Sequence, residues 1–539
     1  MDKFLWWQTG VIYQIYPRSF MDSNGDGLGD IQGVIDRLDY LEMLGIKAIW
    51  FSPLFPSPMA DFGYDVSDYR DIHSEYGTLA DFDKLLVAAH QREMKIILDL
   101  VPNHTSDEHP WFVESRSSKD NPKRDWYIWR DPAPDGGPPN NWMSYFEGPA
   151  WTLDNATGQY YLHNFHPKQP DLNWRNPETA EAMLDHIRFW LKRGVDGFRI
   201  DVIDRILKHP DLPDNPPNPT WQPGDSPLWQ FERVYSERQF PEIFTYMKQF
   251  RAVFDEFPER VAIGELAYDV ELAHMAAYYG DESLTDDNTG DGLHLPFNFG
   301  LIIQDWNAES IKAYVDAYDA ALPAYAWPNY VLGNHDQPRI ASKYGPEQAR
   351  IAAMLLLTLR GTPTLYYGDE IGMTNTPIPR DRIKDPQGIG GGFNRDEART
   401  PMQWDANPHA GFTNADTPPW LPVHPDFETV NVAAQRDEPA AMLSYYYRLL
   451  TYRRQTPALH QGRYYPVEVE EPGCFVYLRQ YNDQRCLIAL NFTDETHTLS
   501  LPDYANGNVI VSTNSDRDGL PIDLNTLTLT ANEGLLIEL

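Results

Sequence analysis

Eight short runs rich in β-branched and aromatic residues recur through the first two thirds of this chain, and most are followed by a helical pattern. They occupy residues 11–16, 48–52, 96–101, 197–201, 261–266, 293–299, 330–333 and 364–367. The intervals carry helix periodicity. Phe82, Leu85, Leu86 and Ala89 fall at i, i+3, i+4 and i+7, one face of a helix. Asn176 is placed to cap a helix that begins at Pro177, with Met183, Ile187, Trp190 and Leu191 as its buried stripe. Further helical patterns cover 241–254, 309–321, 347–359 and 440–453. Eight strands alternating with helices put the chain in the α/β class and match the count of a (β/α)8 barrel. A doubly wound open sheet has the same alternation, and periodicity does not separate the two.

Two stretches break the alternation. Residues 105–173, after the third run, are rich in Pro, Asp, Asn and Trp and too long for a plain loop, which predicts a small inserted domain over the barrel mouth. Residues 370–435 hold Gly390-Gly391-Gly392 and many prolines and read as an elaborate final loop. From about 460 the helical pattern gives way to short alternating runs, 474–478 and 486–491, which predict a closing antiparallel β domain. A chain of 539 residues is too long for one compact core. The expected division is 1–104 and 174–459 for the barrel, 105–173 for the insertion and 460–539 for the β domain.

The net charge of −35 argues against nucleic acid or an anionic membrane as a partner. It fits a solvated acidic surface or a neutral or cationic ligand. Aromatic residues make up 13%, enough to furnish faces for the apolar side of sugar rings as well as a core. Cys474 and Cys486 could pair, but two cysteines do not make a disulfide framework. The first residues lack the basic start and apolar run of a signal peptide, and no apolar run is long enough to span a bilayer, so a cytoplasmic protein is expected.

In a barrel, reactive groups belong at the C-terminal ends of the strands. There the sequence places Asp99 and Asn103-His104, then Arg199-Ile200-Asp201, then Gly264-Glu265, and finally Asn334-His335-Asp336. An Asp at one strand end is ordinarily a cap or an ion-pair partner. Three carboxylates at three ends of one barrel would converge on one mouth.

These four segments, taken in order, resemble the signature regions of glycoside hydrolase family 13, the α-amylase family. Gln169-Pro170-Asp171-Leu172-Asn173 and Arg399-Thr400-Pro401-Met402-Gln403-Trp404 resemble its α-glucosidase and oligo-1,6-glucosidase branch. The resemblance implies a retaining, exo-acting α-glucosidase. Asp201 would be the nucleophile and Glu265 the acid and base, while Asp336 would hold the 2- and 3-hydroxyls of glucose. Arg199 would keep Asp201 ionised, leaving Glu265 with the higher pKa of the two. His104 and His335 would be hydroxyl ligands, Tyr64 would stack under the ring, and Phe165 would line the leaving-group side. Asp61 and Arg399 would pair to grip the 4-hydroxyl and close the cavity behind one sugar. Asp99 would support Arg199 or His104.

Asp22-Ser-Asn24-Gly-Asp26-Gly-Leu28-Gly-Asp30 starts like an EF-hand loop, but its twelfth position is Gly33, which cannot supply the bidentate carboxylate. The family resemblance implies a structural Ca2+ or Mg2+ held by Asp22, Asn24, Asp26, the Leu28 carbonyl and Asp30, and no organic cofactor. The expected partner is a small α-glucoside. Val202 after the nucleophile goes with α-1,6 cleavage in the oligo-1,6-glucosidase branch. The following stretch, Asp214-Asn215-Pro216-Pro217-Asn218-Pro219, departs from that branch toward α-glucosidases that act on α-1,4 bonds or transfer glucose. Activity on maltose is therefore the expectation, with residues 204–225 forming a loop beside the leaving group. Sucrose isomerases and trehalose synthases share the motifs, but their Arg-Leu-Asp-Arg element is represented here only by Arg380-Asp381-Arg382. Transporter heavy-chain ectodomains share the fold, but they carry an anchor and lack the full set of acids.

Overall fold

The computed structural model describes residues 4–146, 148–237, 240–268, 270–282, 289–390 and 392–539; Gly391 of the glycine triplet lies outside them. All eight expected barrel strands form: β1 Ile12–Ile15, β2 Ala48–Phe51, β3 Lys95–Leu100, β4 Gly197–Ile200, β5 Val261–Glu265, β6 Leu295–Phe297, β7 Asn329–Val331 and β8 Thr362–Tyr366. They pair in parallel in the order β7-β8-β1-β2-β3-β4-β5-β6. Sequential order with β1 beside β8 is a ring, which decides against the doubly wound sheet. The β6–β7 seam is bridged by one side chain. Asn329 Nδ2 donates to the Pro296 carbonyl at 2.5 Å, and Asn329 Oδ1 accepts the Asn298 N–H at 2.9 Å.

Alternation along the strands separates two cores. Ile12, Trp50, Ile97, Val261, Ile263, Leu295, Phe297 and Val331 fill the barrel interior, with Trp6 and Trp7 in the same cluster. Tyr13, Ile49, Phe51, Leu98, Phe198 and Ile200 face outward into the helical layer. The helix Leu79–Gln91 buries Phe82, Leu85, Leu86 and Ala89, the four residues of its expected stripe. The helix Pro177–Arg193 has Asn176 accepting the Glu178 N–H at its start and Gly194 in the left-handed region at its end.

Between β3 and β4 a three-stranded antiparallel sheet forms from Trp129–Arg130, Gln159–Leu162 and Trp151–Asp154. Leu212, from beyond β4, joins the insertion's core of Trp142, Ala150, Trp151 and Leu162. The final loop is a series of short 3-10 turns tied to the barrel, for instance by Trp404 Nε1 donating to the Phe20 carbonyl at 2.7 Å. The C-terminal domain is a six-stranded antiparallel sheet with a two-stranded companion. Its register sets Cys474 opposite Asn491 and Cys486 opposite Arg479, and the two thiols stay free and buried.

Two fully buried arginines meet at the barrel's junction with this domain, Arg453 from the barrel and Arg479 from the C-terminal sheet. Arg453 donates to the Leu357 and Gly361 carbonyls at 2.8 and 2.7 Å. Arg479, on the C-terminal sheet, donates to the Thr358 carbonyl and to that of Gly462 at 2.8 Å. Leu357 and Thr358 end the helix Pro346–Thr358, so both guanidiniums sit where the helix dipole is negative and its carbonyls lack partners. Among the described residues no helix is long and apolar enough to cross a membrane.

Candidate active site

The sharp bend after β2 is built by Asp65. Its carboxylate accepts the Ala60 and Asp61 N–H groups at 2.8 and 2.9 Å and the Ser57 hydroxyl at 2.8 Å. Phe62 and Gly63 turn through positive φ, 45° and 105°. The bend aims Asp61 and Tyr64 into a cavity of about 840 Å³ at the C-terminal ends of the strands. Asp61, Tyr64, His104, Phe165, Asp201, Glu265 and Asp336 all line it. Arg199, His335 and Arg399 are fully buried beneath its wall, each at most 1% exposed.

Arg199 organises the acids. Its Nη1 donates to Asp201 Oδ1 at 2.7 Å and to Asp99 Oδ1 at 2.8 Å, and its Nη2 lies 2.6 Å from Glu265 Oε2. The same Glu265 oxygen accepts the Val202 N–H at 2.9 Å. That bond depends on Val202 adopting φ 38°, ψ 45°, a left-handed conformation that strains a β-branched residue. Burial pushes the Asp201 carboxyl well above the usual range; Arg199 opposes this, and Glu265 and Asp99 add to it. Burial likewise raises Asp99, to about 7, against the pull of Arg199. The expectation that Arg199 keeps Asp201 ionised needs correction. One guanidinium is divided among three acids, so it offsets only part of the cost of burying Asp201.

Asp336 is the opposite case. Burial alone would raise its carboxyl, but the charges around it hold it well below the ordinary range. Burial and the neighbouring arginines keep His335 neutral, so the arginines are what hold Asp336 ionised. Arg399 donates to Asp336 Oδ1 at 2.8 Å and Arg395 to the same oxygen at 3.2 Å. Both ring nitrogens of His335 are engaged within the protein, one 2.7 Å from Gln14 Nε2 and the other 2.6 Å from the Tyr64 hydroxyl. Tyr64 and His335 stack with ring centroids 5.5 Å apart. Burial, with Lys208 nearby, lowers His104 to about 3. Its Nε2 meets Gln169 Nε2 at 3.1 Å, and Gln169 also donates to Asp61 at 3.2 Å.

The expected Asp61–Arg399 pair does not form. Arg399 is turned under Asp336, where its Nε donates to the His335 carbonyl at 2.8 Å. Arg395 takes the place beside Asp61: its Nη2 reaches Asp61 Oδ1 at 2.8 Å and Asp385 Oδ1 at 2.7 Å. Burial raises the Asp61 carboxyl while Arg395 and Arg399 oppose it. Sequence reasoning missed Arg395 although it stands four residues before Arg399 in one segment. Its signal was the repeated arginine, and only the fold shows which of the two faces Asp61.

This geometry, three acids around one arginine on adjacent barrel strands, has known counterparts. Residues 14–462 match the alpha amylase catalytic domain, and residues 466–531 match the maltogenic amylase C-terminal domain. The chain belongs to the α-amylase family. It is a glycoside hydrolase. The oligo-1,6-glucosidase of Parageobacillus thermoglucosidasius is 40% identical over 93% of this chain and 92% of its own. A probable alpha-glucosidase of Rhizobium meliloti (strain 1021) is 42% identical over 92% of this chain and 91% of its own. Among solved structures, an alpha-glucosyl transfer enzyme, XgtA, is similar at TM-score 0.91 and 39% identity, covering 99% of this chain and 100% of its own. The trehalulose synthase from Pseudomonas mesoacidophila MX-45 is similar at 0.89 and 35%, with the same coverage.

The loop Asp22–Asp30 is folded around its own backbone. Asp22 accepts the N–H groups of Asn24, Gly25 and Gly27 at 3.0, 2.7 and 2.8 Å, Asn24 accepts that of Asp26, and Asp26 that of Leu28. Asp30 accepts from Ser23 and caps the following helix through the Gly33 N–H. Among the described residues no three His, Cys, Asp or Glu side chains converge to hold a metal ion. The loop's oxygen donors are three carboxylates, an amide and a carbonyl, a set that suits a hard cation rather than a transition metal.

Proposed function

We propose that this enzyme removes single glucosyl units from the non-reducing end of short α-glucosides such as maltose, with retention. The observation that carries the reading is the Asp61–Arg395–Asp385 cluster, whose Asp61 and Arg395 line the same cavity as the three acids and would close its inner end behind one sugar. Glucose would lie between that end and Glu265. Asp201 attacks the anomeric carbon as Glu265 delivers its proton to the departing oxygen; Glu265 then takes a proton from water, which cleaves the glucosyl ester. The ionised Asp336 would accept hydrogen bonds from ring hydroxyls, bonds that strengthen as the ring flattens toward the oxocarbenium ion.

Residues beyond β4 support a leaving-group site. Asp204, Arg205, Asn218, Trp229 and Arg233 line the outer cavity, so the segment expected at 204–225 reaches further along the chain. Phe165 stacks on Tyr145 there, with centroids 5.2 Å apart. Arg380-Asp381-Arg382 form an exposed 3-10 turn away from the cavity, which favours hydrolysis and transfer to acceptors over sugar isomerisation. The Asp22–Asp30 loop is proposed to hold a structural Ca2+ or Mg2+ through Asp22, Asn24, Asp26, Asp30 and the Leu28 carbonyl. The test is product analysis of wild type and Asp201→Asn with maltose, isomaltose and sucrose. Free glucose from the wild type alone is expected, fastest from maltose. A rearranged disaccharide would make the enzyme a mutase, and glucose mainly from isomaltose would reassign the linkage.

A further inference from the structure

Beyond the acids, the outer cavity holds an ionic cluster that the chemistry above does not use. Glu237 is buried and engaged on both oxygens. Arg233 Nε bonds Oε1, and the Tyr145 hydroxyl donates to Oε2. Arg205 Nη1 stands 3.6 Å from the same Oε2. The Tyr145 ring carries both cations, with the Arg205 guanidinium carbon 4.4 Å and the Arg233 guanidinium carbon 4.2 Å from its centroid. Arg233 Nη1 donates in addition to the Met143 carbonyl at 2.6 Å. Arg233 Nη2 is buried without a partner. Tyr145 and Met143 belong to the inserted domain, whereas Arg205, Arg233 and Glu237 belong to the long segment after β4.

Two facts give this arrangement a meaning. First, all four side chains line the cavity. Second, two cations on one aromatic ring need a counter-charge, and Glu237 supplies it. We propose that Glu237, Tyr145, Arg205 and Arg233 form a clasp that locks the post-β4 segment onto the inserted domain and so shapes the site for the leaving sugar. The clasp is a positioning device: it acts on what leaves and on what accepts glucose, and it does not take part in bond cleavage. This inference rests on the α-glucosidase reading.

The test compares kcat/KM for maltose with that for α-glucosyl fluoride in the full-length enzyme. Fluoride is a single-atom leaving group, so the fluoride substrate fills the glucose site and leaves the outer site empty. Glu237→Gln keeps the shape and removes the counter-charge. It is expected to lower the maltose-to-fluoride ratio of kcat/KM by roughly tenfold or more, chiefly through KM for maltose. Tyr145→Phe keeps the ring between the arginines and loses only the bond to Glu237, and it should shift the ratio in the same direction by a smaller factor. It therefore also decides the matter if Glu237→Gln does not fold. A ratio equal to wild type in both variants would overturn the clasp, whether the two rates fall together or neither falls. Failure of the underlying reading looks different: wild type itself would release no glucose from either substrate.

Discussion

Replacing Arg395 by lysine tests how the cavity is closed. The arginine serves three carboxylates at once, Asp61 and Asp385 at 2.8 and 2.7 Å and Asp336 at 3.2 Å, and only a planar fork reaches all three. A lysine ammonium is one point of charge on a flexible stem and can keep one or two of these bonds. Each charge-assisted bond is worth about 1.5–3 kcal/mol. Losing one near the reacting sugar, with Asp61 left underneutralised in a buried site, should cost about 3–4 kcal/mol of transition-state stabilisation. That corresponds to a fall in kcat/KM on maltose of roughly 10²–10³-fold. Arg395→Leu should fall further and lose thermal stability too, since it strands two buried carboxylates. The assay is steady-state glucose release, with a thermal melt to confirm folding. If Arg395→Lys keeps kcat/KM within twofold while Arg399→Lys abolishes it, the assignment of Arg395 rather than Arg399 to Asp61 is refuted.

Other perturbations follow from the same structure. Burial, reinforced by Glu370 and opposed by Arg339 at 4.0 Å and by a backbone hydrogen bond at Tyr366, raises the Asp369 carboxyl to about 7. An acid whose pKa is raised on folding contributes stability that is full below its unfolded pKa and is lost as pH rises through its folded one. Stability should therefore decline across about pH 4–7 by an amount that Asp369→Asn removes, read by denaturant unfolding at each pH. A Cβ at Gly197, which opens β4, would lie 2.4 Å from the Val261 carbonyl of the neighbouring strand. Gly197→Ala should cost about 1–3 kcal/mol and shift Arg199 two residues on, seen as a lower melting temperature and a lower kcat. If the Asp22–Asp30 loop holds its cation, a chelator should lower the wild-type melting temperature by several degrees and leave that of Asp22→Ala unmoved.

Much of this was legible in the chain itself, for physical reasons that differ between elements. The eight strands announced themselves because each is an apolar run bounded by polar strand ends, and the two helical stripes because burial repeats at 3.6 residues. Boundaries shifted by a residue or two, as at β7, expected at 330–333 and found at Asn329–Val331. What the sequence could not show was pairing between distant segments. Asp61 and Arg395 are 334 positions apart, and two arginines of equal reach compete for that carboxylate. The clasp was hidden likewise, since Tyr145 and Glu237 lie 92 positions apart with no local pattern linking them. The charge states at Arg199 were also out of reach, because they depend on how one cation is shared among three acids.

Arg479 gives the domain order a temporal meaning. The last carbonyls of the helix Pro346–Thr358 wait for a guanidinium encoded more than a hundred residues later. A chain leaving the ribosome N-terminus first therefore exposes a barrel helix whose Thr358 carbonyl still lacks the Arg479 guanidinium, and the β domain must emerge before that bond can form. The C-terminal sheet is thus the latch on barrel assembly. A stalled or prematurely ended chain would present an unfinished barrel to the cell's proteases, even though every strand and every acid of the site had already been made.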